Sequence, residues 1–498
     1  MHKGNNGRLL FLTLAAIGLF SLIGYWALYA NASLSRDASA VGSYIYIFCG
    51  LFVIYLLACL IVLRAGQALP LRPTLALIAV VAILARGVLV FAPPTLSNDM
   101  YRYIWDGRVM SAGISPYAYP PGAPEVESLH PEGYWIWDHI NRKSAITVYP
   151  PGAELFYAGV YKVYPDSVTW TKTALALVDL LNCLILFLIL RRLNMSPLRT
   201  LIYAWAPLPI IEFGGSGHVE ALSVLFTLLA ILAGIIAVQH KETENPGRLG
   251  KAAALASVAL AGAVLVKLVP LLLLAAWARR FSWKFVALCV GIVGVVYVGF
   301  VGAFNWHISP FLVTYIADEE SNAPLYHLLG DVLAPAIELS DAFVRLALYA
   351  ALFAFALFLF SKKERNPYDF IGKSFLLVGA YLLLATSAHQ WYATWLLLFV
   401  PLVLPPDGLS LFKDDGEQKG RLRRGNYGPA FAALAYTGLT FLGYAIFALR
   451  LPTVPEPILA LQLATVVGLG ILWPIVGWLS GQHQRKRLRI HHRNAEGA

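Results

Sequence analysis

The chain has 498 residues, of which 58% are hydrophobic and only 13% are charged, and its mean hydropathy is +0.65. Soluble proteins carry about 25% charged residues, so the composition excludes an ordinary soluble protein and predicts an all-α polytopic membrane protein. The net charge is +10, but Lys and Arg collect in short loops and in a basic tail, residues 480–498. This placement is typical of a cytoplasmic membrane flank and argues against nucleic acid as a partner.

Apolar stretches of about 20 residues, the length that a helix needs to cross a bilayer, recur along the whole chain. They predict a single membrane domain, residues 1–498, with about 13 to 14 transmembrane helices. The first stretch is too long for a secretory signal peptide and predicts an uncleaved span. The predicted spans are Leu9–Ala30, Tyr44–Leu63, Arg72–Ala92, Trp170–Leu190, Leu201–Phe213, His218–Val238, Ala252–Ala278, Phe285–Gly302, Phe343–Phe360, Phe370–Thr386, Trp391–Leu404, Pro429–Leu449 and Ile458–Leu479.

The basic loops predict the orientation of these spans. If the N-terminus is cytoplasmic, the loops at residues 64–72, 191–199, 240–251 and 361–365 are cytoplasmic as well, and so is the C-terminus. This arrangement requires Ala252–Ala278 to be a hairpin of two short helices that turns near Lys267 on the outer side. The outer face then receives one large loop, residues 93–169, in which we expect short juxtamembrane helices.

The large outer loop opens with the polar stretch NDMYRYIWDGRV. A helix over Asn98–Met110 places Asp99, Arg102, Tyr103 and Asp106 on one face. One interpretation is a salt-bridged amphipathic helix, with Arg102 between the two aspartates. The other is an active site, which is favoured because further polar residues collect at the outer ends of several spans.

Three of those further groups follow in chain order. His218 and Glu220 begin a span after a glycine turn. Lys267 lies inside an apolar run, where an ionisable residue is costly and indicates function, although it can also extend to the interface. The stretch His389–Tyr392 begins another span. Its aromatic rings suit either sugar stacking or the interfacial aromatic belt, and His389 suits either a site or a structural role.

These residue types together indicate a class of chemistry. Carboxylates suit general-base work on a hydroxyl, and cations suit a leaving phosphate that gains charge in the transition state. No Walker loop or dinucleotide fingerprint is present in the sequence. A lipid-linked phosphosugar would supply the sugar donor and a membrane anchor in one molecule.

Several phrases resemble the GT-C superfamily of integral-membrane glycosyltransferases, and in particular bacterial polyprenol-phosphate-mannose-dependent mannosyltransferases. The resemblance extends over about residues 97–402. It is carried by NDMYRYIWDGRV, VYPPG (Val148–Gly152), GHVEAL (Gly217–Leu222), LVKLVPLLLL (Leu265–Leu274) and HQWYATWLLLFVPL (His389–Leu402).

The resemblance implies that mannose or another hexose is transferred from a polyprenyl-phosphate donor to a lipid, glycan or other extracytoplasmic acceptor, by single-displacement, inverting chemistry. By position it implies Asp99 as the catalytic base and Asp106 as the second carboxylate. It also implies a site on the outer side of a bacterial plasma membrane. The implied phosphate-binding residues are Arg102, Arg108 and Lys267, and the implied sugar- and acceptor-binding residues are Tyr103, Tyr149, His218, Glu220, His389, Gln390, Trp391 and Tyr392.

The sequence departs from the family pattern at two places. Only one carboxylate precedes the tyrosine in Ser97-Asn98-Asp99, so no cofactor is required, although a divalent metal is allowed. Val219-Glu220 replaces the Asn-Asp that is usual after the glycine-histidine pair, which leaves the sugar and the acceptor open.

Two alternatives remain open from the sequence: a polytopic transporter, and a flippase or ligase for lipid-linked glycans. A transporter built from inverted repeats would show paired broken helices in its two halves, whereas the sequence shows one such break. Glycosyl transfer predicts that Asp99, Arg102, Lys267 and His389 are neighbours beside a lateral cavity open to lipid.

Overall fold

The computed structural model describes residues 2–34, 37–242, 249–307, 319–333, 338–364, 366–404, 428–451 and 454–468. Within these ranges the secondary structure is helical, apart from one isolated bridge between Ser321 and Ser387. Eight helices are long and apolar enough to cross a membrane, which confirms the all-α polytopic membrane protein. They are Asn6–Ala30, Ala38–Ala68, Leu71–Leu89, Val168–Arg192, Glu220–Gln239, Trp283–Ala303, Asp341–Ser361 and Gly428–Leu449.

The long apolar run Ala252–Ala278 is broken where the sequence predicts. One helix covers Lys251–Val266 and the next α-helix covers Leu273–Phe281. Between them the backbone of Lys267 is extended, with φ −148° and ψ 141°. Pro270 follows within the short turn Val269–Leu272, where its ring cannot continue the first helix. The break therefore leaves Lys267 at the end of an apolar helix.

The prediction of one continuous span over Leu201–Phe213 is wrong. The segment divides into the short helices Leu201–Ala204 and Pro207–Pro209 and a π-helical turn, Ile210–Gly215. Pro207 and Pro209 lack the amide hydrogens that a continuous helix needs. A hydropathy window measures only how apolar the residues are, so it does not detect the missing amide hydrogens.

The expected count of 13 to 14 spans exceeds the eight long helices partly because other predicted spans are short. Phe370–Thr386 corresponds to the helix Asp369–Leu384, and Trp391–Leu404 to the shorter apolar segment Gln390–Val403. Of the last predicted span, only the part up to Gly468 lies within the described residues, and the basic tail lies outside them.

The large loop at residues 93–169 contains the short helices that the sequence predicts. Its first helix, Asp99–Ser111, is called the loop helix below. It packs on the helix Pro151–Val163, and their closest approach is at Gly107, where an added Cβ would lie 2.8 Å from the carbonyl oxygen of Tyr157. The loop is also built from the 3₁₀ turn Pro124–Leu129 and the short helix Trp135–Asp138.

Buried polar contacts fix the helices that carry this loop. Arg86 and Asp179 form a fully buried ion pair, with 2.7 Å between nitrogen and oxygen, which ties Leu71–Leu89 to Val168–Arg192. The ammonium of Lys172 donates to the carbonyl oxygens of Leu89 and Ala92. This lysine therefore satisfies carbonyl groups that the end of a helix leaves without partners, just before the loop helix begins.

Candidate active site

Asp99 lies at the first position of the loop helix, where a carboxylate also interacts favourably with the helix dipole. Its side chain is 24% exposed. Asn141 donates a hydrogen bond of 3.1 Å to Oδ1, and Nδ1 of His218 lies 3.8 Å from Oδ2. Asp99 thus keeps an open side that a hydroxyl group can reach.

His218 is fully buried beside Asp99. The preceding Gly217 has φ +77°, which favours glycine, and an added Cβ there would lie 3.0 Å from the Met100 side chain of the loop helix. The other ring nitrogen of His218, Nε2, lies 3.4 Å from Oε2 of Glu212. The glycine turn therefore allows the histidine to approach the loop helix closely.

Three rings form a stack next to this histidine. Trp391 lies between His218, with ring centroids 3.7 Å apart, and His389, with centroids 4.5 Å apart. Nε2 of His389 lies 4.0 Å from Oε1 of Glu319. Arg142 pairs with both oxygens of that glutamate, at 2.9 and 2.8 Å. The stack joins the turn after the glycines to the stretch His389–Tyr392, which lies about 170 residues further along the chain.

The electrostatic environment of His389 is set by burial and by cations. Burial lowers the pKa of His389 to about 3, with further lowering by the positive charges of Lys267 and Arg142. His389 is therefore neutral near pH 7 and suits hydrogen bonding or ring stacking rather than charge neutralisation.

Lys267 forms an ion pair with the fully buried Glu220, with 2.8 Å between Nζ and Oε1. Its ammonium also lies 4.7 Å from the ring centre of Tyr149 and 5.5 Å from that of Tyr392. Tyr149 in turn donates a 3.2 Å hydrogen bond to the hydroxyl of Tyr103 on the loop helix. These contacts place Lys267 among aromatic faces of the kind that suit a cationic or sugar-binding pocket.

The side chains of Arg102 and Asp106 are buried within the large loop, residues 93–169. They form a buried pair of 2.8 Å one helical turn apart, and Arg102 also donates to the carbonyl oxygen of Ala145. Thr147 donates to the buried Glu154 nearby. Burial raises the pKa of Asp106, although Arg102 opposes it, and burial next to Asp106 raises the pKa of Glu154. The salt-bridged interpretation thus describes Arg102 and Asp106, whereas Asp99 lies outside that pair.

Arg108 lies further from Asp99, about 13 Å along the helix axis at 1.5 Å per residue. It pairs with Asp166 at 2.8 Å and donates to the carbonyl oxygen of Leu129 at 2.7 Å. Its guanidinium also stacks over Tyr134. These contacts connect the C-terminal part of the loop helix to Leu129 and to Asp166, which lies near the end of the large loop.

Gln390 points to a different part of the molecule from its neighbour Trp391. It is buried and lies against the backbone of Gly443, where an added Cβ would be 2.4 Å from Nε2 of Gln390. Asn322 also lies against Gly443. Gln390 therefore fastens the stretch His389–Tyr392 to the C-terminal helices.

The structure brings together eight of the predicted site residues through a continuous series of contacts. Sequence reasoning missed several residues that complete this cluster. Glu212 carries the same signal as Lys267, an ionisable residue in an apolar run, whereas Asn141, Arg142 and Glu319 lie in loops without a distinguishing pattern. The eight predicted residues are Asp99, Tyr103, Tyr149, His218, Glu220, Lys267, His389 and Trp391, and Tyr392 borders them.

One cavity of about 460 Å³ is lined by Arg279, Trp283 and Phe360, at the opposite end of the Trp283–Ala303 segment from the large loop that carries Asp99. In the part of the chain that the structure describes, no group of three or more His, Cys, Asp and Glu side chains is arranged for a metal ion. The lateral cavity stays a prediction.

The fold and the site define a polytopic membrane protein with a polar and aromatic cluster at one end of its helices. Residues 1–281 match the MptA_B family, described as the alpha-(1->6)-mannopyranosyltransferase N-terminal domain. The chain belongs to this family, and it is a membrane-bound glycosyltransferase that acts on mannose. The match includes Asp99, His218 and Lys267 but ends before His389. No curated protein and no solved structure shows significant similarity to the chain.

Proposed function

We propose that the protein transfers a mannosyl group from a polyprenyl-phosphate donor to a lipid or glycan acceptor on the extracytoplasmic face of the membrane. The observation that carries this proposal is the convergence of Asp99, Lys267 and His389 on one cluster from three distant parts of the sequence. Together they supply a base, a cation and a stacked ring system. The family supports mannose as the sugar.

Asp99 is the general base in this proposal. It is partly exposed, and its contacts are an amide and an imidazole. Asp106 is buried and paired with Arg102, so an acceptor hydroxyl would have to displace that pair to reach it. The accessible carboxylate is the one placed to take a proton.

The transfer is a single displacement. The acceptor oxygen attacks the anomeric carbon while Asp99 takes the hydroxyl proton. The bond from the anomeric carbon to the phosphate oxygen breaks, and polyprenyl phosphate leaves with the electron pair. Inversion converts a β-linked donor into an α-linked product, which agrees with the alpha linkage in the family description.

Two cations lie where the leaving phosphate can be neutralised. Lys267 borders Tyr149 and Tyr392. The side chain of Arg142 is 50% exposed, and its neighbour Asn141 contacts Asp99. Nη2 of Arg142 donates to both oxygens of Glu319, and a guanidinium group also suits phosphate oxygens. Arg102 and Arg108 are the other two predicted phosphate ligands. Arg102 is less suitable because it is buried with Asp106, and Arg108 is less suitable because it lies about 13 Å from Asp99 along the helix axis.

The orientation in the membrane is part of the same proposal. Glu220–Gln239 begins at the site and ends just before Lys241, and Val168–Arg192 begins after the outer loop and ends on two arginines. The basic residues therefore lie at the helix ends opposite the site. This distribution supports cytoplasmic termini and an outer site in a bacterial plasma membrane.

Donor screening with purified protein in lipid nanodiscs tests the proposal. We expect mannose transfer from polyprenyl-phosphate mannose and no transfer from a nucleotide-linked mannose. Asp99→Asn should reduce the rate about 10²- to 10⁴-fold because it removes the general base. Asp138→Asn, at an exposed position in the same loop, is the matched control. Wild-type rates in Asp99→Asn, or transfer only from the nucleotide sugar, would contradict the proposal.

A further inference from the structure

Glu212 is a fully buried carboxylate that the predicted chemistry leaves without a role. It lies in the π-helical turn Ile210–Gly215, and such turns are frequent at functional sites. The hydroxyl of Tyr444 lies 3.0 and 3.2 Å from its two carboxylate oxygens and donates to the carboxylate. A buried carboxylate is costly unless hydrogen bonds and a cation compensate it. Tyr444 supplies a hydrogen bond, but burial raises the pKa of Glu212 to about 8, so the carboxylate needs a neighbouring cation to stay ionised near pH 7. His218, with Nε2 3.4 Å away, is able to supply that positive charge.

The imidazole of His218 lies between two carboxylates. Nε2 is 3.4 Å from Oε2 of Glu212, and Nδ1 is 3.8 Å from Oδ2 of Asp99. The main-chain amide of His218 also donates a 2.9 Å hydrogen bond to the carbonyl oxygen of Glu212. The ring face rests on Trp391. The ring is therefore held against Trp391, with one nitrogen near each carboxylate.

We propose that Glu212 is a positioning residue that acts through His218 to return Asp99 to its ionised form after each transfer. The inference rests on the proposed function, because it takes Asp99 as the base. Nothing in the family description assigns a role to Glu212. Its partner Tyr444 lies beyond the matched residues 1–281, so the C-terminal half of the chain completes the site.

The proposed proton step requires the 3.8 Å and 3.4 Å separations between His218 and the two carboxylates to shorten to hydrogen-bond distance as the proton moves. Asp99 carries the proton taken from the acceptor hydroxyl and passes it from Oδ2 to Nδ1 of His218. The imidazolium then donates its Nε2–H to Glu212, and the face of Trp391 stabilises the cation further. After the products leave, the proton returns through Asp99 to water on its exposed side. Atoms and charge balance, because each transfer releases one proton.

Other charged groups near this chain of residues are already paired. Glu220, which lies close enough to interact electrostatically with Glu212, is held by Lys267 at 2.8 Å. Tyr444 is a neutral donor to Glu212. The charge of His218 therefore depends chiefly on Asp99 and Glu212, the two carboxylates next to its ring.

Three variants test whether Glu212 positions His218 or only stabilises the folded protein. Glu212→Gln keeps the shape of the side chain and removes its charge, and Tyr444→Phe removes only the hydroxyl that holds Glu212. Tyr436→Phe removes a buried hydroxyl from the same helical region and is the matched control. Each variant is compared with wild type for thermal stability, kcat, the KM of the donor and the pH dependence of kcat/KM.

We expect Glu212→Gln to lower kcat about 10- to 100-fold, part of the roughly 10²- to 10⁴-fold that general acid–base catalysis contributes, with the KM of polyprenyl-phosphate mannose changed less than about threefold. The limb of the pH profile that reports His218 should move to lower pH, because an imidazolium that has lost a neighbouring carboxylate gives up its proton more easily. Tyr444→Phe should shift it in the same direction by less, and Tyr436→Phe should not shift it.

A readout that does not depend on activity is the imidazole ¹⁵N spectrum of the protein in nanodiscs, with the His218 signal assigned by its loss in His218→Gln. The His218 titration should move to lower pH in Glu212→Gln. An unchanged titration and pH profile would overturn the inference, and so would a change confined to the KM. If wild type transferred no mannose from a polyprenyl phosphate, the proposed function would fail, whereas the ¹⁵N titration would still decide whether Glu212 governs His218.

Discussion

Lys267 and Glu220 illustrate, at the scale of single residues, how one side chain can stabilise the protein and also lie at the proposed site. Glu220 is fully buried, and its cation is the lysine 2.8 Å away. Removal of one partner of a buried ion pair usually costs about 3–5 kcal/mol, because the other charge is left uncompensated. The same lysine faces the rings around the proposed sugar site.

We therefore predict that Lys267→Gln lowers the free energy of unfolding by about 3 kcal/mol and raises the KM of the donor. The double variant Lys267→Gln/Glu220→Gln should regain most of the stability, since neither charge is then buried alone, without regaining donor affinity. Thermal unfolding in detergent and donor titrations measure the two effects. A double variant with the wild-type KM would show that Lys267 is only structural.

The lowered pKa of His389 predicts how the stability of the folded protein depends on pH. Burial and the charges of Lys267 and Arg142 lower its pKa to about 3 in the folded protein, whereas an unfolded histidine titrates near 6.5. Between these values the unfolded chain binds one proton more than the folded chain, so this residue makes stability fall as the pH is lowered from about 6.5 towards 3. His389→Gln should flatten that dependence, which unfolding curves at pH 7, 6 and 5 will reveal. An equally steep loss in the variant would contradict it.

At the scale of elements, the sequence predicts structure well where local chemistry decides it. Spacing on one face predicts the loop helix, which begins and ends within one residue of the expected Asn98–Met110. The charged residue and the proline in LVKLVP predict the break at Lys267. The apolar composition of Leu201–Phe213 predicts a span there, but two prolines, Pro207 and Pro209, divide the segment.

The contact between the loop helix and Pro151–Val163 depends on Gly107. Gly107→Ala places a Cβ 2.8 Å from the carbonyl oxygen of Tyr157 and 2.8 Å from Cβ of Tyr161, so the two helices must move apart. Overpacking of this kind costs about 1–3 kcal/mol. We expect a lower midpoint of thermal unfolding and reduced transfer, since Asp99 is carried by the displaced helix.

The matched control for that helix contact is Gly159→Ala, on the partner helix, where no atom lies within 4 Å of the added Cβ. Its midpoint should equal that of wild type or exceed it slightly, because alanine favours a helix. Equal losses in both variants would show that the close approach at Gly107 does not hold the loop helix in place.

At the scale of the whole molecule, the sequence indicates which residue types matter but not how distant segments meet. Periodicity reveals the pair Arg102–Asp106, because its members are one helical turn apart. Periodicity does not predict the contact of Asp99 with His218 or that of Arg142 with Glu319, because the members of each pair lie in segments far apart in the sequence. The stack of Trp391 between two histidines depends in the same way on tertiary packing.

The proposed orientation makes a prediction about labelling from outside the cell. In a background without the four native cysteines, Ser111→Cys at the end of the loop helix should react with a membrane-impermeant maleimide on intact cells. Ser361→Cys, at the end of Asp341–Ser361, should react only after permeabilisation, because we place that basic loop in the cytoplasm. The reverse pattern would put the site on the cytoplasmic side.

In the proposed function, Asp99 is the base for a mannosyl transfer that inverts the anomeric carbon of a lipid-linked donor. The most direct measurement is ¹³C NMR of the product formed from a β-linked polyprenyl-phosphate [¹³C]mannose donor by wild type and by Asp99→Asn. We expect an α-linked product from wild type and almost none from the variant over the same time. A β-linked product, or α-linked product formed equally fast by Asp99→Asn, would contradict it.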